Sequence, residues 1–192
     1  MLIMTSCANN KKSFKEENTP SAFQPKVLAD EWSNSLLGQW EVRGQSEAGK
    51  GKGQIKYELA LNGQFLIRTS QTKIIEISPQ QKRYLKETLK ASDKEIAEFQ
   101  NSVFRDMEIF TIDPRTGETI GYLFDSLRCV AKGTGKREGN KEIMQWEWSV
   151  QGAGTSRRIA EKVGPDKLVI NEKYSLPGGK TMEDNLEMTR KK

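Results

Sequence analysis

From Gly38 to the C-terminal region, apolar and polar residues alternate with a period of two. Trp40 and Val42 interleave with Gln39, Glu41 and Arg43, and Ile55, Tyr57 and Leu59 with Lys56 and Glu58. Such alternation places one side of each strand in a core and the other in water. Phe65-Leu66-Ile67 leads into a further alternating run to Ile77, and Asn62-Gly63 between the two runs is a strong hairpin signal. Later strands are expected over Met107–Asp113, Thr119–Ala131, Glu142–Val150, Ser156–Val163, Lys167–Leu176 and Thr181–Arg190. Between them stand turn-forming stretches such as Asp113-Pro114-Arg115-Thr116-Gly117, Gly152-Ala153-Gly154, Gly164-Pro165-Asp166 and Pro177-Gly178-Gly179. Short strands at regular spacing predict an all-β antiparallel sandwich or barrel of about eight to ten strands.

Two stretches follow a helical period instead. Lys26 to Leu37 reads as a short amphipathic helix with Leu28, Trp32, Ser35 and Leu36 near one face. Residues 78–104 read as a two-helix insertion. Ser78-Pro79-Gln80-Gln81 supplies an N-cap with Pro at the first helical position, and Ser92-Asp93-Lys94-Glu95 a capping box. The expected stripes are Tyr84, Leu85, Thr88 and Leu89, then Ile96, Phe99, Val103 and Phe104. An insertion of this length serves as a lid or contact surface, or it covers a sheet edge.

The chain opens differently. Residues 1–7 run Met1-Leu2-Ile3-Met4-Thr5-Ser6-Cys7, apolar and then small residues before a cysteine. This resembles the end of a bacterial lipoprotein signal peptide, with Cys7 at the position that is acylated in that family. Residues 8–25 are rich in Asn, Lys, Ser, Glu and Pro and show no period, which predicts a disordered tether. Residues 26–192 then form a single domain. Together the resemblance and the tether imply a lipid-anchored protein of the bacterial cell envelope, on the periplasmic face of the outer membrane.

Gly38-Gln39-Trp40 after a short helix resembles the G-x-W opening of the lipocalin and calycin barrels. The resemblance implies that Trp40 plugs the closed end and that an arginine near the end of the last strand packs across its ring. Arg190 is placed for that role, with Gly38 at the strand's entry. Counting back from Arg190 by twos puts Met188, Leu186, Asp184 and Met182 on the same face. The same stretch is similar to a family of bacterial lipocalin-like proteins with no established reaction. It is matched at Leu37-Gly38-Gln39-Trp40-Glu41, Leu61-Asn62-Gly63-Gln64-Phe65-Leu66, Ile112-Asp113-Pro114 with Gly117, Phe124-Asp125-Ser126 and Pro177-Gly178-Gly179-Lys180.

Composition narrows the chemistry. The 192 residues include no histidine and two cysteines, and the net charge is +5. Without histidine the commonest metal ligand and general base are missing, and neither a cofactor nor a metal is expected. Basic residues are interspersed with carboxylates rather than gathered in a stripe, so nucleic acid is not an expected partner. Cys129 reads as an inert small residue.

Parity also yields an inventory of cavity walls. Trp146 and Trp148 share a face with Met144 and Val150, Tyr122 and Phe124 with Ser126 and Arg128, and Glu172 and Tyr174 with Leu168 and Ile170. Glu161 sits with Ile159 and Val163, and Tyr57 with Ile55. Glu161, Glu172 and Asp184 fall on apolar faces of successive strands, where a carboxylate requires partners, water or a ligand. They are also the most plausible seat for acid–base chemistry, although their spacing indicates no specific reaction. The leading expectation is a barrel that binds a small, largely apolar molecule. The alternatives are a filled barrel acting as a structural or protein-interaction module, or a carboxylate-based enzyme.

Overall fold

The computed structural model describes residues 26–28, 30–149 and 154–192. The signal-like segment 1–7, with Cys7, and the tether 8–25 lie outside the described residues.

Ten antiparallel strands close into a barrel in which each strand pairs with its neighbours in sequence and the first pairs with the last. They are β1 (Gly38–Ser46), β2 (Gly49–Ala60), β3 (Phe65–Ile77), β4 (Val103–Ile112), β5 (Thr119–Asp125), β6 (Val130–Glu138), β7 (Lys141–Ser149), β8 (Gly154–Gly164), β9 (Lys167–Ser175) and β10 (Thr181–Arg190). Closure removes the exposed sheet edges that would otherwise invite pairing with other chains. Three helices accompany the barrel: α1 (Glu31–Leu36), α2 (Pro79–Glu87) and α3 (Asp93–Asn101).

The expected Thr119–Ala131 strand is two strands. Asp125 breaks it by accepting hydrogen bonds from the backbone N–H groups of Leu127 (2.7 Å) and Cys129 (2.9 Å), while Arg128 takes a left-handed φ of 66°. The chain then returns as β6. The inward positions Gly121 on β5 and Gly133 on β6 are small, because the Trp146 ring occupies the space above them. A Cβ on Gly133 would lie 2.7 Å from Trp146 Cδ2, and one on Gly121 2.8 Å from its Cη2. Large apolar residues are thus absent from the inward positions of β6, and with them the hydrophobic signal that reveals a strand.

α1 covers one end of the barrel. Asp30 accepts from Ser33 N–H as its N-cap, and Trp32 and Leu36 reach the core. Trp40 is buried beneath this helix and donates its indole N–H to the Leu36 carbonyl at 2.7 Å. The Arg190 guanidinium lies 4.3 Å from the centre of the Trp40 ring and donates to the carbonyls of Leu37 (2.5 Å) and Ser35. These carbonyls are at the helix C-terminus, where intrahelical partners are lacking and a cation is favoured. Gly38 has φ +110°, and a Cβ there would meet Arg190 Nη1 at 3.3 Å.

The insertion joins β3 to β4 at the opposite end. Ser78 caps α2 by accepting from Gln81 N–H, and Ser92 and Glu95 form the capping box of α3. Val103 and Phe104 belong to β4 rather than to the second helix, and Phe104 meets Phe99 edge-on at 5.7 Å. Leu85 and Ile96 are buried, whereas Tyr84 and Leu89 are exposed.

The glycine space around Trp146 is directly testable. Gly133→Ala is expected to cost about 1–3 kcal/mol through overpacking, measured by urea denaturation. The cost of Gly121→Ala should shrink in a Trp146→Phe background, where the clashing Cη2 is gone.

Candidate functional site

Trp146 lies near mid-barrel, fully buried, with Phe110 edge-on at 6.2 Å. The guanidinium of Arg158 sits 5.0 Å from the centre of its ring. Between this layer and the end away from Trp40 lies a cavity of about 300 Å³. Its apolar lining includes Val42, Leu123, Trp148 and Leu186, and the β1–β2 turn and Ser126-Leu127 line it toward its mouth. Trp148 and Tyr174 meet at a tilt, with ring centres 6.0 Å apart.

The cavity's polar part is a continuous chain of hydrogen-bonded charges. Pairing register creates its two halves, since Arg68 faces Glu108 across β3 and β4, and Arg158 faces Glu172 across β8 and β9. Arg68 Nη1 donates to Asp106 Oδ1 at 2.5 Å and to Glu108 Oε1 at 2.8 Å, and Ser70 donates to the other Asp106 oxygen. Arg158 Nη1 donates to Glu108 Oε2 at 2.7 Å, while its Nε donates to Glu172 Oε2 at 2.7 Å. Ser156 donates to Glu172 Oε1 at 2.6 Å and accepts from Trp148 Nε1 at 2.9 Å. Arg158 therefore bridges the interior between non-adjacent strands. A buried charge is tolerated only when paired and hydrogen-bonded, which this chain achieves for Glu108 and Glu172.

A second group lies under α1. Arg137 donates to Glu142 Oε1 at 2.9 Å and to Asp30 Oδ1 at 2.5 Å, tying the helix cap to the barrel wall. Burial pushes the Glu142 carboxyl up despite Arg137, and burial also pushes the Tyr57 hydroxyl up to about 12. Tyr57 belongs to this deeper layer, next to Trp32 and Leu36.

Asp184 differs from the other interior acids. Among the described residues it makes no ion pair, and the Tyr174 hydroxyl hydrogen-bonds it. Burial, reinforced by Glu172, raises its carboxyl to about 6, and burial next to Glu172 and Asp184 pushes the Tyr174 hydroxyl well up.

Of the residues expected at cavity walls, Trp148, Glu172, Tyr174 and Asp184 line this cavity together, and Trp146 forms the layer beneath. Five others lie elsewhere, Tyr57 in the deeper layer under α1. Tyr122 and Phe124 point outward, 43% and 40% exposed, because Thr119, Gly121 and Leu123 take the inward parity of β5. Arg128 is exposed in the turn after β5, outside any strand. Glu161 faces outward, where it pairs with Lys141 at 3.2 Å. The parity of β8 is set by Ser156, Arg158 and Ala160 facing in, and Ile159 instead pairs with Ile143 on the outer surface.

Arg68, Asp106, Glu108 and Arg158 were not among the expected site residues. A signal was present, for Leu66 shares parity with Arg68, and Phe110 with Glu108 and Asp106. Cys129 is a half-buried free thiol whose pKa is raised by burial and by Asp125, consistent with low reactivity.

No family model and no curated protein matches the chain. Solved structures do. The S-type phycobiliprotein lyase CPES from Guillardia theta is similar over 84% of this chain and 92% of its own, with TM-score 0.53 and 12% identity. A redesigned β-barrel is similar over 87% of this chain and 100% of its own, with TM-score 0.40 and 12% identity. A barrel bound to DFHBI, EF1p2_mFAP2b, is similar over 83% and 97%, with TM-score 0.41 and 10% identity. The last two scores carry nothing further for this chain. By fold, the chain is a lipocalin-like β-barrel.

The Asp184 shift sets a pH dependence of stability. A carboxyl raised above its unfolded value holds its proton more tightly in the native state, so stability is lost as pH rises through about 6. Asp184→Asn should therefore be more stable than the native chain at neutral pH, by on the order of 1–3 kcal/mol. The gap should close at about pH 3 in denaturation curves, where the carboxyl is protonated in both states.

Proposed function

We propose that the barrel binds one small, largely apolar molecule that carries a polar end. The observation that carries this reading is the cavity of about 300 Å³, apolar on several sides and polar at its base. Small-molecule sites are concave and mostly apolar, with a few fixed polar groups that orient the ligand. The Arg68–Glu108–Arg158–Glu172 chain suits that role, because each member is held by partners and cannot turn away to accommodate a ligand. Ten strands also make a wider barrel than eight, which leaves room beyond what the side chains fill.

The test is titration with the neutral fluorophore N-phenyl-1-naphthylamine. A saturable rise in its fluorescence is expected, abolished in Leu186→Trp while circular dichroism shows the barrel intact. No rise with the native chain would overturn the reading.

The same proposal includes attachment to a bacterial envelope through Cys7, by a lipid anchor facing the periplasm at the outer membrane. Its support is the Leu2-Ile3-Met4-Thr5-Ser6-Cys7 run and the polar stretch that follows it. In bacterial cells grown with an alkynyl fatty acid, the chain expressed from its native gene should incorporate label, and Cys7→Ser should incorporate none.

A further inference from the structure

The charges inside the cavity do not balance. Asp106, Glu108, Glu172 and Asp184 line it, and the guanidiniums that face them are those of Arg68 and Arg158. Both guanidiniums are already committed to Asp106, Glu108 and Glu172. Asp184 is left with a hydroxyl partner rather than a cation. Other basic residues lie at the mouth. Lys52, Lys73 and Arg105 are solvent-exposed there and Lys50 pairs with Glu76 at 2.8 Å, so water and salt screen them.

The wall around Asp184 has a particular makeup. Glu172 is its register partner on β9, and Ser46 stands opposite it on β1. Tyr174 and Trp148 add two aromatic rings beside these carboxylates. Carboxylates and aromatic faces attract organic cations, the carboxylate by charge and the ring by its quadrupole. An anionic ligand that passed the mouth would reach an inner space where the carboxyls of Asp106, Glu108, Glu172 and Asp184 outnumber the guanidiniums of Arg68 and Arg158.

We infer that the ligand of this cavity is an organic cation, an ammonium with an apolar tail, whose charged end lies against Asp184, Tyr174 and Trp148. This rests on the reading of the barrel as a small-molecule binder and gives that reading a ligand class. The tail lies along Val42, Leu123 and Leu186, and the mouth lysines are passed on entry. Binding is coupled to protonation of Asp184. The charged and titratable groups around that carboxyl are Tyr174 and Glu172 on β9, Arg158 on β8 and Glu47 in the β1–β2 turn. With its carboxyl raised to about 6, acidification neutralises Asp184 while an alkylammonium keeps its charge.

The experiment compares octylammonium, 1-octanol and octanoate by calorimetry on the full chain. At pH 7.5 octylammonium should bind about tenfold or more tightly than either of the others, equivalent to roughly 1.4 kcal/mol. Asp184→Asn should remove most of that preference, and the preference should fall toward unity at pH 5. Binding of 1-octanol or octanoate as tight as that of octylammonium would overturn the cation assignment and leave the cavity reading standing. So would a preference unaltered in Asp184→Asn. If none of the three binds, the small-molecule reading fails and this inference falls with it.

Discussion

The guanidinium of Arg158 organises this barrel. It lies over Trp146, one of its nitrogens reaches Glu108 across the interior, and another holds Glu172 on the neighbouring strand. A charge in so dry a place is expensive unless several partners share it. The requirement runs outward from there. Glu108 must also meet Arg68, Arg68 must meet Asp106, and Asp106 must meet Ser70, so that five strands are bound into one register. Glycines at the inward positions of β5 and β6 are part of the same arrangement, since only they let the Trp146 ring lie where Arg158 can cover it.

That constraint divides the interior into two chemically different halves. On the side of α1 the space is filled by Trp32, Leu36, Trp40 and Tyr57, and Arg190 fastens the helix end to the first and last strands. On the other side the side chains are shorter or already committed to partners, and a cavity remains. A filled barrel would need apolar groups where Asp106, Glu172 and Asp184 stand. Space left beside hydrogen-bonded charges favours recognition of a polar-ended molecule over a purely structural role.

The outer surface shows why alternation alone misleads in some strands. Tyr122 and Phe124 lie outside on β5, with Ile109 and Met107 beside them on β4. Ile143 and Ile159 form a similar outward pair. In β5 and β8 several large apolar residues are on the outer side, while Thr119, Gly121, Ser156 and Arg158 take inward positions beside Leu123 and Ala160. A rule that assigns large apolar residues to the core inverts such strands and carries Glu161 inward with Ile159, whereas Arg128 lies in the turn that ends β5.

The sequence by itself determined much of the architecture. Trp40 on the first strand and Arg190 on the last are legible as partners at the closed end of a barrel, the caps at Ser78 and Ser92 start two helices, and the last strand divides cleanly into inward and outward residues. These features are local, because turn chemistry, capping and alternation act over a few neighbouring residues. What only the tertiary structure decided is which charges lie inside. Parity with Leu66 and Phe110 points Arg68 and Glu108 inward, but each of Arg68, Glu108 and Arg158 can be buried only because the others are buried with it. Their partners stand 40 and 50 residues away in sequence, so the compensation that makes their burial possible exists only once the barrel has closed.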